Sequence, residues 1–560
     1  MTGADGAAQE KARPVETSGT REDTRLAVTF DHVSKTFGTQ DVLQDVSCTL
    51  TGGHIYAVTG ANGSGKSTFL RLAGHLLRPS NGRIVVEETT LPSPASLTGG
   101  HLNREGISDR IGAEAPCVCL PQRGRHHNDA ATTPLTRETL RRNLGLLSPE
   151  LALSPELTGA EAIAFLLGLR GFTLTDEELH ALLGRVGLKA EDAAKRTKSC
   201  STGQRQRLAL AVLIASNAKL WLLDEPGANL DAAGREVVRR EARNAADRGA
   251  LVLVATNDEK EVAWADENIK LDDKQSTTAP AVTLSVALRA PAPPEGEPQF
   301  VDTNLPHPST YASPLGGGAE RMRGGEGHAV TKQHNISICA STLHLLRREA
   351  TTALRSRSSL AIMALFAITA LLALSMALGG AILEPPLLAA LLWVLLFFAA
   401  SMGLGGTFAS DESSGALLAL RVYGAGQAVL AGKTAFAFLM LVCLAIVLVP
   451  LFFVLLDAAC VAPLLFALTL ALGLLGLAGA GTLLSALTVG AAGRQTSASG
   501  LLPVLLLPVI LPVFLPAISL TAATFGGREA GISLLVGMGL YDLLLIVGAS
   551  LLFDSLWYED

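Results

Sequence analysis

The chain has 560 residues, with 45 Lys plus Arg against 51 Asp plus Glu and a formal net charge of −6, so it lacks the cationic surplus with which nucleic-acid-binding proteins neutralise phosphates. Hydrophobic residues make up 49% and charged residues 17%, with a mean hydropathy of +0.36. Soluble domains carry about 25% charged residues, so part of this chain is built for lipid.

Residues 1–24 are polar, hold no apolar run of signal-peptide type, and read as a disordered tail. Over 25–275, short apolar strands such as Ile55–Val58, Leu220–Leu223 and Leu251–Ala255 alternate with helical stretches, which predicts a soluble α/β domain on a parallel-sheet core. Within it, roughly 90–138 is rich in Ser, Pro, Gly and Thr, contains the basic run Arg123–His127, and reads as a surface insertion. The neighbours His126 and His127 do not by themselves make a metal-ligand set. The seven cysteines, with Cys117 and Cys119 as the close pair, are an odd and scattered set that reads as reduced thiols. Residues 276–335 are crowded with proline and glycine and predict a linker that cannot bury enough apolar surface to order itself.

Past Arg357 the composition changes abruptly. Between Ser359 and Phe553 the ionisable Asp, Glu, Lys and Arg residues are Glu384, Asp411, Glu412, Arg421, Lys433, Asp457, Arg494, Arg528, Glu529 and Asp542. The apolar gaps predict an all-α transmembrane domain over 336–560, with six spans at about 359–380, 386–408, 430–455, 462–489, 501–523 and 531–552. With the amino terminus inside, Arg347, Arg348, Arg355, Arg357, Arg421, Lys433 and Arg494 fall on the cytoplasmic side and Arg528 alone outside, so the positive-inside bias places both ends in the cytoplasm. Pro503, Pro508, Pro512 and Pro516 predict a fifth span broken into kinked pieces. Asp542 lies near the middle of the sixth span. An acid there is a functional residue by default, the alternative being a carboxyl neutralised or paired with Tyr541 or Ser533.

The nucleotide chemistry is local. Gly60-Ala61-Asn62-Gly63-Ser64-Gly65-Lys66-Ser67-Thr68 follows the strand Ile55–Val58 and opens the helical run Thr68–His75. Such a loop wraps backbone N–H groups round the phosphates of ATP, sends Lys66 to the β and γ oxygens, and puts the Ser67 hydroxyl on Mg²⁺. A second strand, Leu220–Leu223, delivers Asp224 to the Mg²⁺ water shell and Glu225 to orient and polarise the attacking water.

Cys200-Ser201-Thr202-Gly203-Gln204 resembles the signature sequence of ATP-binding cassette (ABC) ATPases, departing from it at Cys200 and Thr202. Asn229-Leu230-Asp231 resembles that family's D-loop, and Phe37 its adenine-stacking aromatic. The resemblance implies ATP contacts from Phe37, Ser201, Gly203, Gln204 and Asp231, with Ser201 and Gly203 reaching the γ-phosphate held by a second copy. That requires a homodimer through the ATPase domains, with a helix amino terminus aimed at an anion. Where the family carries a switch histidine this chain has Asn257, which hydrogen-bonds but takes no proton, so the resemblance implies slow hydrolysis carried by Glu225, Lys66 and Asn257. The family's Q-loop glutamine has no clear counterpart: alignment on Pro155-Glu156-Leu157-Thr158 puts Pro149 there, and Gln122 lies in the insertion.

In the loop between the second and third spans, Asp411-Glu412-Ser413-Ser414-Gly415 followed by Ala416–Arg421 predicts a short amphipathic helix that docks on the cassette and transmits its closure. This loop, with Leu487-Thr488-Val489-Gly490 and the proline-rich fifth span, is similar to CcmB, the membrane subunit of the haem exporter of cytochrome c maturation, and the cassette half to its partner CcmA. The resemblance implies a role in c-type cytochrome biogenesis, by haem export or by release of a haem-loaded chaperone. It also implies further membrane subunits and a place in the cell inner (plasma) membrane. All eleven histidines precede the first span, and Met363, Met376, Met402, Met440 and Met538 read as packing residues. The chain itself is therefore not expected to grip haem. Two other readings stay open: an exporter of drugs or lipids, and an ATP-driven mechanical coupler that moves no solute.

Overall fold

The computed structural model describes residues 24–90, 132–271, 338–356, 358–491, 502–527 and 531–557. The expected tail and linker, most of the insertion with Cys117, Cys119, Gln122, His126 and His127, and Arg357, Arg494, Arg528 and Glu529 lie outside the described residues.

In the cassette the strands are β1 (Thr24–Phe37), β2 (Gln40–Thr51), β3 (Ile55–Thr59), β4 (Asn81–Thr90), β5 (Thr132–Pro134), β6 (Leu144–Leu147), β7 (Leu220–Asp224), β8 (Leu251–Ala255) and β9 (Glu267–Lys270). The helices are α1 (Lys66–Ala73), α2 (Arg137–Arg142), α3 (Gly159–Gly168), α4 (Asp176–Arg185), α5 (Ala190–Ala194), α6 (Thr202–Ala215), α7 (Ala232–Asp247) and α8 (Glu259–Val262). The expected parallel sheet is there, in the order β6-β7-β8-β3-β9. Covered on both faces, its strands read as unbroken apolar runs, and Leu220–Leu223 and Leu251–Ala255 are buried throughout.

A second sheet, antiparallel in the order β2-β1-β4-β5, was not expected. Its signal is period two: Leu26, Val28 and Phe30 are buried while Ala27 and Thr29 between them are half-buried, the pattern of a sheet with one face on the core. Phe30 stacks on Phe69 of α1, ring centroids 4.6 Å apart, so this sheet braces the helix that follows the glycine-rich loop. The end of the stretch read as loose is regular structure: β5 pairs with β4 and α2 begins at Arg137. The expected helical run begins earlier than read, at Lys66, and ends at Ala73.

The membrane half consists of α9 (Ile338–Ser356), α10 (Ser358–Leu378), α11 (Pro385–Leu404), α12 (Gly406–Ser413), α13 (Ala416–Tyr423), α14 (Gly426–Leu455), α15 (Pro463–Ala491), α16 (Leu502–Gly526) and α17 (Ile532–Leu556). Six segments are long and apolar enough to cross a membrane: Leu360–Leu378, Pro385–Ser413, Gly426–Leu455, Pro463–Thr488, Leu502–Gly526 and Ile532–Phe553. The fifth is one continuous helix, not separate pieces, with Pro508, Pro512 and Pro516 inside it. Its stripe Leu502, Leu506, Ile510, Val513, Ala517 and Leu520 is buried against neighbouring spans, and Tyr541 Oη donates to the Val509 carbonyl at 2.6 Å. Packing thus holds a helix that the prolines weaken, and Tyr541 ties it to α17.

The amphipathic helix α9 was also not read from the sequence. It packs on α14 and on cassette helix α3, and carries a buried ion cluster. Arg348 grips the Asp411 carboxylate with two N–H groups, and Lys433 Nζ donates to Asp411 Oδ2 (2.7 Å), Glu349 Oε1 (3.1 Å) and the Thr407 carbonyl (2.7 Å). Lys433 is fully buried. Arg348 and Lys433, which the sequence reading counts toward membrane orientation, are therefore committed to an interior network.

Candidate functional site: a nucleotide cradle joined to the membrane spans

The glycine-rich loop sits at the carboxyl end of β3, the edge where open α/β sheets bind ligands. Gly65 takes φ 95° immediately before α1 begins at Lys66, an angle that glycine reaches without the steric cost of a side chain. Lys66 Nζ donates back to the carbonyls of Gly60 (2.7 Å) and Ala61 (3.0 Å), lying over the loop. Ser64 Oγ is buried with no hydrogen-bond partner among the described residues, and a Cβ on Gly60 would stand 2.6 Å from it. An orphaned hydroxyl in a cradle lined by backbone fits a phosphate.

Asp224 ends β7 beside Ser67, which hydrogen-bonds its carboxyl. Burial pushes the Asp224 carboxyl above its ordinary range; Ser67 and the Arg71 charge oppose that, and Glu225 and Glu150 add to it. Crowded hard oxygens of this kind fit Mg²⁺, which takes few protein ligands and keeps waters and phosphate oxygens. Glu225 follows at φ 44°, and its N–H donates to the Ala255 carbonyl at 2.8 Å. A non-glycine residue in this region stores about 1–3 kcal/mol of strain, a mark of functional positions. Past the end of β8, Asn257 Nδ2 donates to Asn62 Oδ1 at 2.7 Å, across 195 residues of sequence. The loop Gly60–Thr68, Asp224, Glu225 and Asn257 thus gather at one edge of the parallel sheet. Phe37 is 43% exposed at the end of β1, with Lys35 Nζ 4.8 Å from its ring centroid.

The signature residues form a second group. Ser201 caps α6 in a reciprocal box with Gln204: Gln204 N donates to Ser201 Oγ (3.2 Å) and Ser201 N to Gln204 Oε1 (2.9 Å). The first turn of α6 presents Gly203, where a Cβ would lie 2.9 Å from the Asn229 carbonyl. Asp231 accepts from Gly234 N at 2.9 Å, capping α7, and pairs with Arg207 at 2.5 Å. Gln206 Nε2 donates to the Pro226 carbonyl at 2.7 Å. These bonds tie the signature group to the loop after β7, not to the phosphate loop of the same chain.

Glu150 was missed. It follows β6, with Pro149 before it, and pairs with Arg71 of α1 close to Asp224. An acid within three residues of the end of an apolar strand was the available signal. Its backbone faces the other way: the Glu150 carbonyl lies 2.9 Å from where a Cβ on Gly415 would stand, and Ala152 N donates to Gly415 O at 3.3 Å. Gly415 has φ 74° and leads into α13, so a side chain there would meet strain and the cassette together.

The expected docking helix is α13. Leu417, Ala419, Leu420, Val422 and Tyr423 are buried, each large apolar side chain contributing about 1.5–3 kcal/mol. Arg170 donates to the carbonyls of Arg141 (2.8 Å) and Val422 (3.0 Å) and lies 4.3 Å over the Tyr423 ring. Burial pushes Arg170 down to about 10, which leaves it charged at neutral pH. On the other side, Arg348 donates two hydrogen bonds to Ser154 Oγ (2.7 and 3.1 Å), and Arg355 pairs with Glu161 and donates to the Glu156 carbonyl at 2.8 Å. The segment 150–156 therefore touches the nucleotide edge at one end and both α13 and α9 at the other.

Comparison with known families agrees with this division. Residues 43–228 match the family described as "ABC transporter", and residues 340–550 match the "CcmB protein" family. Among curated relatives, the chain is 30% identical over 241 residues to the phosphonates import ATP-binding protein PhnC 1 of Rhodopseudomonas palustris, covering 41% of this chain and 72% of that one. It is 28% identical over 244 residues to the arginine transport ATP-binding protein ArtM of Bacillus subtilis (42% and 84% covered). It is 31% identical over 235 residues to the macrolide export ATP-binding/permease protein MacB of Burkholderia pseudomallei (41% and 30% covered). Since these relatives import and export unlike solutes, likeness in the cassette fixes the motor and not the cargo. The chain belongs to the ABC transporter family, an ATP-binding cassette fused to a CcmB-like membrane domain.

Proposed function

We propose that this ABC transporter is of the haem-exporter type and drives c-type cytochrome biogenesis, by exporting haem or by releasing a haem-loaded chaperone. The observation that carries the reading is the match of the whole helical half, residues 340–550, to the CcmB family. The work is done by ATP hydrolysis. In this reading Gly60, Asn62, Gly63, Ser64, Gly65 and Thr68 cradle the phosphates, Lys66 neutralises them, Phe37 stacks on the base, and Glu225 orients the attacking water. Ser67 and Asp224 would hold Mg²⁺, which supplies charge neutralisation at the phosphates. Asn257, already bonded to Asn62, orients the γ-phosphate without exchanging a proton, so hydrolysis is slow.

Ser201, Gly203 and Gln204 close the site from a second copy, with Asp231 holding the D-loop, giving a homodimer with two composite sites. The membrane is the cell inner (plasma) membrane, with the cassette and both termini on the cytoplasmic side, and further membrane subunits handle haem. The test is Lys66→Ala in the producing cell with c-type cytochromes read by absorbance. Loss of the haem bands supports the reading, and full retention of c-type cytochromes contradicts it.

A further inference from the structure

We propose that Asp542 is a proton-binding site in the membrane domain, holding a proton in the state described and releasing it when α17 moves against α15, so that the ATP cycle also moves a proton. The carboxyl is 2% exposed and neither oxygen has a hydrogen-bond partner among the described residues. It lies near the middle of the span Ile532–Phe553. A point one bond out from Gly476 of α15 is 2.6 Å from Asp542 Oδ1 and 3.2 Å from a Val513 methyl of α16. This junction is too tight for a hydrated metal ion or an organic cation, and a proton is the one ligand that needs no cavity.

Among the described residues no cation neutralises the site. Along the span α17 packs on α14, α15 and α16; at its Phe553 end it also meets α12 and α13, whose titratable groups are Asp411, held by Arg348 and Lys433, Glu412, Arg421 and Tyr423. Within their described lengths α15 and α16 contain no Asp, Glu, Lys, Arg, His, Cys or Tyr. Helix α14 offers Cys443, which is exposed, and Lys433, which is committed to Glu349, Asp411 and Thr407. On α17 itself the Tyr541 hydroxyl is spent on the Val509 carbonyl, and Asp554 is three turns away. An ionised carboxylate with no partner among these spans is strongly disfavoured, so the group is neutral here.

The drive is also present. At its other end α17 is tied to the docking elements: Phe553 packs on Phe408 of α12 (5.8 Å between centroids) and on Trp557 (5.0 Å), and the Arg421 guanidinium of α13 lies 5.8 Å over Trp557. Tyr541 ties the helix to α16 one residue before Asp542. A shift of α13 with the cassette is passed along α17 and separates Asp542 from Gly476. Water then reaches the carboxyl and takes its proton, –COOH + H₂O giving –COO⁻ + H₃O⁺, and the reverse step reloads it.

The experiment uses the full chain in lipid nanodiscs, read by infrared difference spectroscopy in H₂O and D₂O, with and without a non-hydrolysable ATP analogue. The expected result is a deuterium-sensitive carbonyl band of a protonated carboxyl without nucleotide, lost on analogue binding, and absent throughout in Asp542→Asn. A pH-indicator dye should record about one more proton released per chain in the wild type than in Asp542→Asn. A band that persists unchanged with the analogue, or no protonated carboxyl at the outset, overturns the proposal. If Asp542→Asn does not fold, Asp542→Glu decides: a band that moves with that side chain belongs to residue 542, and a band that does not move belongs to another carboxyl such as Asp224 and overturns the proposal. The outcome is independent of the haem reading, because cargo enters neither measurement.

Discussion

Arg348 and Asp411 form a two-pronged ion pair in which both side chains are buried, one on the helix that leads into the membrane domain and the other at the end of the second span. Arg348 also donates to Ser154 of the cassette, so a single guanidinium joins the ATPase half, α9 and the spans. Truncating one partner of a buried pair leaves an uncompensated charge and costs about 3–5 kcal/mol. Arg348→Met should fall at the low end of that range, since Lys433 still faces Asp411. The control, Arg239→Ala, breaks an exposed pair with Glu236 and should leave the unfolding midpoint nearly unchanged. Unfolding midpoints of the two variants in detergent check the difference.

The roles proposed for Asn257 and Glu225 are separable. Asn257→His should raise ATP turnover, because an imidazole at that place can bond the γ-phosphate and also exchange a proton. If Glu225 orients and polarises the attacking water as proposed, Glu225→Gln should lower turnover by about 10²-fold or more while ATP binding survives, since the phosphate cradle is left intact. Steady-state hydrolysis together with equilibrium nucleotide binding separates the two effects.

Glu161 gives a pH signature to the joint. Hydrogen bonds from Arg355 hold its carboxyl down to about 2, against an ordinary value of 4.5; burial acts the other way, and the Thr158 backbone N–H helps. The folded value lies below the unfolded one, so this contribution to stability is complete above about pH 4.5 and disappears as pH falls toward about 2. The pair is partly exposed, which keeps the effect small. The expected observation is that melting temperature falls less steeply with acid in Arg355→Gln than in the wild type. Parallel curves would contradict the assignment.

Arg170 fills the seam between cassette and α13, where its Nη2 donates to carbonyls on both sides and its guanidinium lies over the Tyr423 ring. Arg170→Lys keeps the charge and loses the planar guanidinium that stacks on Tyr423, so it should loosen the dependence of membrane-domain movement on nucleotide. Proteolysis of the 424–426 turn with and without ATP analogue is the readout: protection changes in the wild type and stays flat in the variant.

What the sequence made legible was what is contiguous. Gly60–Thr68 and Leu220–Glu225 carry their chemistry within a few residues, and the six spans follow from scarcity of charge alone. The contacts that turn these parts into a device join residues far apart: Asn62 with Asn257, Arg71 with Glu150, Ser154 with Arg348. No periodicity announces such pairs. Lys433 and Arg348 were misleading for a physical reason, since a basic residue beside a span looks alike whether it faces water or a buried carboxylate. Helix α9 was hidden by its arginines, which read as flanking charge although Leu345 and Arg348 face the interior. The prolines of α16 predicted breaks because the sequence shows the missing N–H groups but not the neighbouring spans packed along the helix.

The central claim is that ATP is held between Lys66 of one copy and Ser201 of another. The most direct measurement places cysteines at Ser64 and Thr202 in a chain whose native cysteines have been replaced, reconstitutes it in lipid, and follows cross-linking with and without ATP under conditions that block hydrolysis. The account predicts a cross-chain Ser64→Cys to Thr202→Cys dimer that forms with ATP and is abolished by Lys66→Ala. No cross-link under ATP, in a protein that still binds it, would contradict the account.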